Sequence, residues 1–154
     1  MSEDHRYAVT KLGAANQLLN AAIEMLLDRR DYLSAIVLAG AAEDLFQGQL
    51  KRGNREHVAS RPQLAAATTA MGAHLFPDSK PIASNQAFGM MRDVVNWLKH
   101  DDGDDALERR LDWRKEATQL CMRAVDNHYE VSGQEHPRAK ELGYPVGNHR
   151  PVEQ

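Results

Sequence analysis

The sequence predicts an all-α protein, a four- to five-helix up-and-down bundle, and three observations carry that expectation. Residues 33–46, LSAIVLAGAAEDLF, form the most apolar run of the chain, broken only by Ser34, Glu43 and Asp44. A helix that is hydrophobic on nearly all sides must be covered on nearly all sides. The run falls short of the roughly 20 residues needed to cross a bilayer, which makes it the central helix of a bundle. Elsewhere apolar residues recur at three- and four-residue steps, and no alternating strand pattern or internal repeat appears.

The first helix is expected over residues 7–29, where Val9, Leu12, Leu19, Ile23 and Leu26 keep helical register with one gap at Asn16. Asp31 is placed to cap the second helix, which continues through Leu50 and stops near Gly53. The link Arg30–Asp31 is so short that the two helices must form an antiparallel hairpin. A basic connector, KRGNREHVASR, follows at residues 51–61. Ser60 then caps a third helix over residues 61–73, with Pro62 tolerated in its first turn. The two prolines of HLFPDSKPIAS mark an irregular loop, after which Ser84 caps a fourth helix over residues 85–100.

The acidic turn Asp101-Asp102-Gly103-Asp104-Asp105 is expected to end the fourth helix and cap a fifth, because carboxylates favour the positive end of a helix dipole. Leu107, Leu111, Ala117, Leu120, Cys121, Ala124 and Val125 keep the apolar register of this last helix, which runs to Ser132 and terminates at Gly133. The bundle domain therefore spans residues 1–133. Residues 134–154 form a Pro/Gly-containing tail with little to make a core of its own, expected to be extended or to lie against its own domain or a partner subunit.

Composition narrows the function classes. The net charge is −3 with 27% charged residues, so bulk electrostatics does not announce nucleic-acid or membrane binding, and local patches must make that case. A single cysteine, Cys121, excludes an intramolecular disulfide and a multi-cysteine zinc site. No apolar segment follows the charged residues of the N-terminus, so no secretory signal is visible, and a reduced, cytoplasmic setting is expected. No Gly-rich phosphate loop, nucleophile elbow or paired Glu-x-x-His motif occurs, and no cofactor or metal is expected. The run of aspartates after His100 lacks the loop length and terminal Glu of a calcium site and reads as helix capping. Glu24 or Glu43 set against His100 across the bundle is the one carboxylate–histidine pairing the sequence leaves open.

The most informative chemistry lies in MMRDVVNWLKHD, residues 90–101. At 100° per residue, Arg92, Asn96 and His100 fall within about 80° of one another. Lys99 and Asp93 flank this polar stripe, and apolar faces (Phe88, Met91, Val95, Leu98 and Met90, Val94, Trp97) lie on either side. A polar stripe between two apolar faces suits a groove or a subunit interface. Arg92 and His100 are nevertheless two turns apart, about 12 Å along the axis, and reach one phosphate only if both side chains lean inward.

AGAAEDL in the second helix, followed later by RDVVNWLKHD, resembles the HEPN superfamily of small helical domains over residues 12–130. The family's motif is an Arg, a polar residue and a downstream His. Arg92-Asp93 matches its first part, while the interval to His100 is longer than the family's, and Asn96 with His100 one turn on offers another pairing. The resemblance implies metal-independent endoribonucleases that act as homodimers, two chains sharing one cleft, or non-catalytic members that bind RNA or a partner protein. On the first reading the chain is an RNA-directed module, the toxin half of a defence pair with a cognate antitoxin. Arg92 grips phosphate, His100 moves protons, Asn96 positions them, and Glu43 and Asp93 support them. Lys51, Arg52 and Arg55 of the connector, with Lys99, offer a phosphate track for RNA. On the second, it is an interaction or regulatory protein in which Arg92, Asn96 and His100, joined by Glu43, form a structural or dimer-interface network.

Overall fold

Thr10 sets where the chain becomes helical. Its hydroxyl accepts the Gly13 N–H at 2.9 Å, satisfying one of the free donors of a first turn. In the computed structural model, which describes residues 6–81, 83–101 and 108–143, the first helix α1 therefore spans Lys11–Glu24, not residues 7–29. Tyr7 and Val9 precede the cap and are exposed, because nothing packs over a segment outside the helix. Leu19, Ile23 and Leu26 are buried as their spacing predicts.

After Glu24 the helix widens into a π turn at Met25–Arg29, and the chain reverses through Arg30 in the left-handed region (φ 54°). Asp31 then caps α2, Tyr32–Arg52, accepting the Ser34 N–H at 3.1 Å and the Ser34 hydroxyl at 2.6 Å. Those bonds hold the Asp31 carboxyl below its ordinary pKa. The expected hairpin is formed. α2 is central, as its composition requires: Ala35, Ile36, Ala39, Gly40, Ala42, Phe46 and Leu50 are buried on more than one of its sides.

Asn54, with φ 57°, completes the turn out of α2. α3 covers Ser60–Leu75 and α4 covers Ser84–Lys99. Both begin one residue earlier than expected. The N-cap of α3 is Ala59, so Ser60 caps nothing and turns its polar groups into the protein instead. At the start of α4 the Gln86 side chain reaches back to the Ala83 N–H at 3.1 Å.

The last helix, α5, spans Trp113–Ser132 and is capped by Asp112, whose carboxylate accepts the Lys115 N–H at 3.0 Å. The acidic turn does not cap it, since residues 108–112 are non-helical. Leu111 is exposed for the same reason, while Leu107 and residues 102–105 lie outside the described residues. Ala117, Leu120, Cys121, Ala124 and Val125 carry α5 onto α2, and Gly133 ends the helix with φ 70°. Burial pushes the Cys121 thiol up to about 12, so it packs as a small hydrophobe.

Residues 134–143 fold back on the bundle. His136 Nε2 meets Asn20 Oδ1 at 2.7 Å, Arg138 clasps Asp28 at 2.7 and 2.8 Å, and the 3-10 turn Ala139–Leu142 buries Ala139 and Leu142 in the core. The architecture is an all-α bundle, and among the described residues there is no strand. No helix among them is long and apolar enough to cross a membrane.

Candidate functional site

Two adjacent carboxylates on α2 organise the polar interior. Glu43 is 0% exposed, and a buried charge is costly unless paired and hydrogen-bonded. Arg61 from the first turn of α3 meets both its oxygens, Nε to Oε1 at 3.1 Å and Nη2 to Oε2 at 3.3 Å. Arg123 from α5 does the same at 3.1 and 3.2 Å, and its Nη2 also donates to the Met91 carbonyl of α4 at 3.0 Å. The Ser60 hydroxyl adds a bond to Glu43 Oε1. Asn127, fully buried on α5, accepts the Ser60 N–H at 2.7 Å and donates to the Glu43 carbonyl at 3.4 Å. One residue on, Asp44 Oδ1 is shared between Arg61 and Arg92, the latter at 2.8 Å.

The cluster thus sets three guanidinium groups against two carboxylates and ties α2, α3, α4 and α5 together. Burial works against the Arg61 cation, but the Glu43 and Asp44 carboxylates overcome it and hold its pKa above the ordinary value. The surplus positive charge sits toward the outer end, where the Arg92 side chain is 18% and Asp44 37% exposed.

The sequence places Glu43 at a polar centre, and it is there, but its partners are Arg61 and Arg123, not Arg92 or His100. Arg92 belongs to the same cluster through Asp44. Asn96 and His100 lie farther along α4 and are exposed, His100 at the helix C-cap with its N–H on the Asn96 carbonyl at 3.0 Å. Asp93 is exposed and pairs with Arg109 at 2.6 Å, whose guanidinium carbon lies 5.7 Å from the centre of the Trp97 ring. Trp97 in turn packs on Trp113, the ring centres 6.1 Å apart. Lys51, Arg52 and Lys99 are exposed. Arg55 is pinned to α5 through the Glu130 carbonyl at 2.8 Å and carboxylate at 3.1 Å. Arg61, the last basic residue of the connector, is buried in the cluster and forms no part of a surface track.

Arg61, Arg123, Ser60 and Asn127 escape a reading of the sequence. The available signal was Glu43 itself, a buried acid that requires cations, together with an arginine beside the apolar register of α5. Likewise His128 and His136, eight residues apart, meet edge to face with ring centres 5.8 Å apart where the C-terminal segment docks. Among the described residues no group of three or more His, Cys, Asp or Glu side chains is arranged to hold a metal. Glu24 pairs with Arg29 at the surface, far in chemistry from the carboxylate–histidine pairing the sequence left open.

Compared with family models, curated proteins and solved structures, the chain matches none.

Proposed function

We propose that the protein is a HEPN-like helical module that acts on RNA, gripping phosphate along α4 and cleaving without metal. The observation that supports this reading is the charge imbalance at Asp44. Arg92 spends Nη1 on a carboxylate oxygen already engaged by Arg61, keeps further donors, and stays partly exposed. A guanidinium with spare donors suits a phosphate and the charge that develops on it in the transition state. Asn96 and His100 follow at one-turn steps on the solvent-exposed side, with Lys99 beside them. The His100 imidazole is then the group that takes the 2′-hydroxyl proton or donates to the leaving oxygen. One such histidine per chain calls for a two-fold homodimer to supply both tasks. A cytoplasmic setting, and a partner protein that restrains the activity, complete the proposal.

The test is cleavage and binding of mixed RNA with EDTA present. Wild type is expected to cleave, His100→Ala to bind but not cleave, and Arg92→Gln to bind more weakly with a shallower salt dependence. Cleavage unchanged by both substitutions overturns the assignment. A second reading, a non-catalytic interaction protein with the same architecture, is favoured by the Arg92–Asp44 bond and by Leu64, Met71, Leu75, Phe76 and Met90 exposed on α3, α4 and their connection. Absence of RNA binding by a folded, dimeric wild type favours that reading.

A further inference from the structure

A second basic feature stands apart from the Glu43 cluster, at the joint between α1 and α2. A half-enclosed cavity of about 440 Å3 opens there, within the size range of small-molecule sites. Its accessible lining is mostly polar: Leu26 from the π turn and Leu142 from the 3-10 turn are buried behind it, and only Leu27 and Tyr32, both half-buried, offer it apolar surface. Two arginines line it from different elements, Arg30 at the α1–α2 turn and Arg114 in the first turn of α5. Neither guanidinium meets a carboxylate among the described residues, so two like charges line one hollow whose single carboxylate, Glu141, is already paired with Arg138.

Hydroxyl groups complete the lining. Thr118, one turn after Arg114, donates to the Arg114 carbonyl at 2.8 Å, which leaves its oxygen free to accept, and Tyr32 supplies a phenol. Glu141 stands at the same hollow, but its carboxylate is held by Arg138 through bonds of 2.6 and 3.0 Å. That pairing offsets its charge and leaves an acceptor for a ligand hydroxyl. The backbone is also unusual at this point. A π turn and a non-glycine residue at φ 54° stand side by side, and such departures concentrate where a chain serves a ligand.

We propose that this hollow binds a small phosphate monoester carrying a flat ring. Two guanidinium groups suit a phosphate dianion better than a single carboxylate, and the half-buried Leu27 side chain and Tyr32 ring are the surfaces against which a flat ring packs. The site is independent of the RNA reading of α4, because it shares no residue with Arg92, Asn96 or His100.

The experiment is titration of the full chain with phenyl phosphate, phenol and inorganic phosphate, followed by calorimetry and by amide shifts at Arg30, Thr118 and Gly143. Phenyl phosphate is expected to bind, phenol not to bind, and inorganic phosphate to bind at least about tenfold more weakly than phenyl phosphate. Arg114→Gln should weaken phenyl phosphate by at least about tenfold. Arg30→Gly is the decisive variant. Glycine accepts the left-handed backbone without strain, so the protein should melt no lower than wild type while binding falls by a similar factor. Lys11→Gln, on an exposed lysine at the far end of α1, should leave binding unchanged. Equal binding by wild type and the Arg30→Gly/Arg114→Gln double variant overturns the proposal, and so does the absence of any amide shift at these three positions under saturating phenyl phosphate.

Discussion

The molecule has two halves held by different physics. α1, α2, α5 and the C-terminal turn share a dry core in which Leu19, Ile23, Ile36, Phe46 and Val125 are sealed from water. α3 and α4 contribute little to it. α3 buries Ser60, Arg61 and Ala65, α4 buries Ala87 and Val95, while Met90 is 66% and Phe76 63% exposed. What fixes the α3–α4 hairpin is polar, three arginines around Glu43 and Asp44, plus one close approach of Val95 to Gly40. Hydrophobic burial is non-directional and specifies that helices meet; charged hydrogen bonds are directional and specify how they meet. The difference suggests that the core stabilises and the cluster positions.

Breaking the cluster should therefore produce the largest effect. Glu43→Gln leaves Arg61 and Arg123 facing an amide that cannot balance them, and loss of a buried partner costs about 3–5 kcal/mol. Chemical denaturation of the variant measures it. The sharper form replaces Glu43, Arg61 and Arg123 together by Leu, Met and Met. Most of the lost stability should return, yet amides of α3 and α4 should exchange faster than in wild type, because volume is restored and direction is not. Exchange at wild-type rates in that triple variant contradicts the positioning role.

The next effect tests the steric half of the same junction. A Cβ on Gly40 lands 3.0 Å from Val95 Cγ1 and 3.1 Å from Cγ2, tighter than side chains normally tolerate. Gly40→Ala should cost about 1–3 kcal/mol from crowding, against about 1 kcal/mol gained in helix propensity. Adding Val95→Ala should relieve the clash, so the two changes should be non-additive in a double-mutant cycle. Additive costs would mean that α4 shifts freely and the approach fixes nothing.

The two halves also differ in how far they could be read from the sequence. Periodicity alone places Leu19, Ile23, Leu120, Cys121 and Val125 inside, because burial repeats every three or four residues and leaves a pattern. Boundaries are set by single hydrogen bonds, which leave no repeating pattern. Asp112 caps α5 where the denser aspartate run had been expected to, and Thr10 starts α1 after Val9. The cluster leaves no periodic trace at all: Arg61 and Arg123 lie 18 and 80 residues from the acid they serve. A sequence shows that Glu43 needs a cation but not which one arrives, since Arg55, Arg61, Arg92 and Arg123 look alike until α3 and α5 are packed on α2. His100 shows the converse. Its position at the end of α4 is legible from the helical register, whereas nothing in that register marks Arg92 as drawn toward Asp44.

A smaller, opposite effect is expected within α2 itself. A Cβ on Gly48 meets no atom within 4 Å. Gly48→Ala should therefore raise stability by about 0.5–1 kcal/mol, through helix propensity alone. Paired with Gly40→Ala it shows, on one helix, the difference between a glycine required by a neighbour and one that is not.

The smallest effect is confined to the C-terminal segment, and it follows from pH. Burial holds both His128 and His136 below the ordinary 6.5, with the charges of His128 and Arg138 adding to it at His136 and a Gln134 backbone bond partly opposing it at His128. The folded state thus keeps both rings neutral, between Phe46 and Asn20, while the unfolded chain takes up protons near 6.5. Their contribution is complete above pH 6.5 and is lost as pH falls through that value toward the depressed folded ones. Asp28 and Glu141 do not share this window, because their bonds to Arg138 keep both ionised to below their ordinary 3.8 and 4.5. Between pH 6.5 and 4.5 the histidine contact should weaken while the arginine clasp holds. The amides of Ala139, Glu141 and Gly143, bonded to the carbonyls of His136, Arg138 and Lys140, report on it. Their protection, corrected for intrinsic exchange, should fall on acidification while that of α2 stays constant, and His136→Gln should flatten the dependence. Equal pH dependence in α2 and in this turn would show that the segment is part of the core's cooperative unit, not an addition clasped onto it.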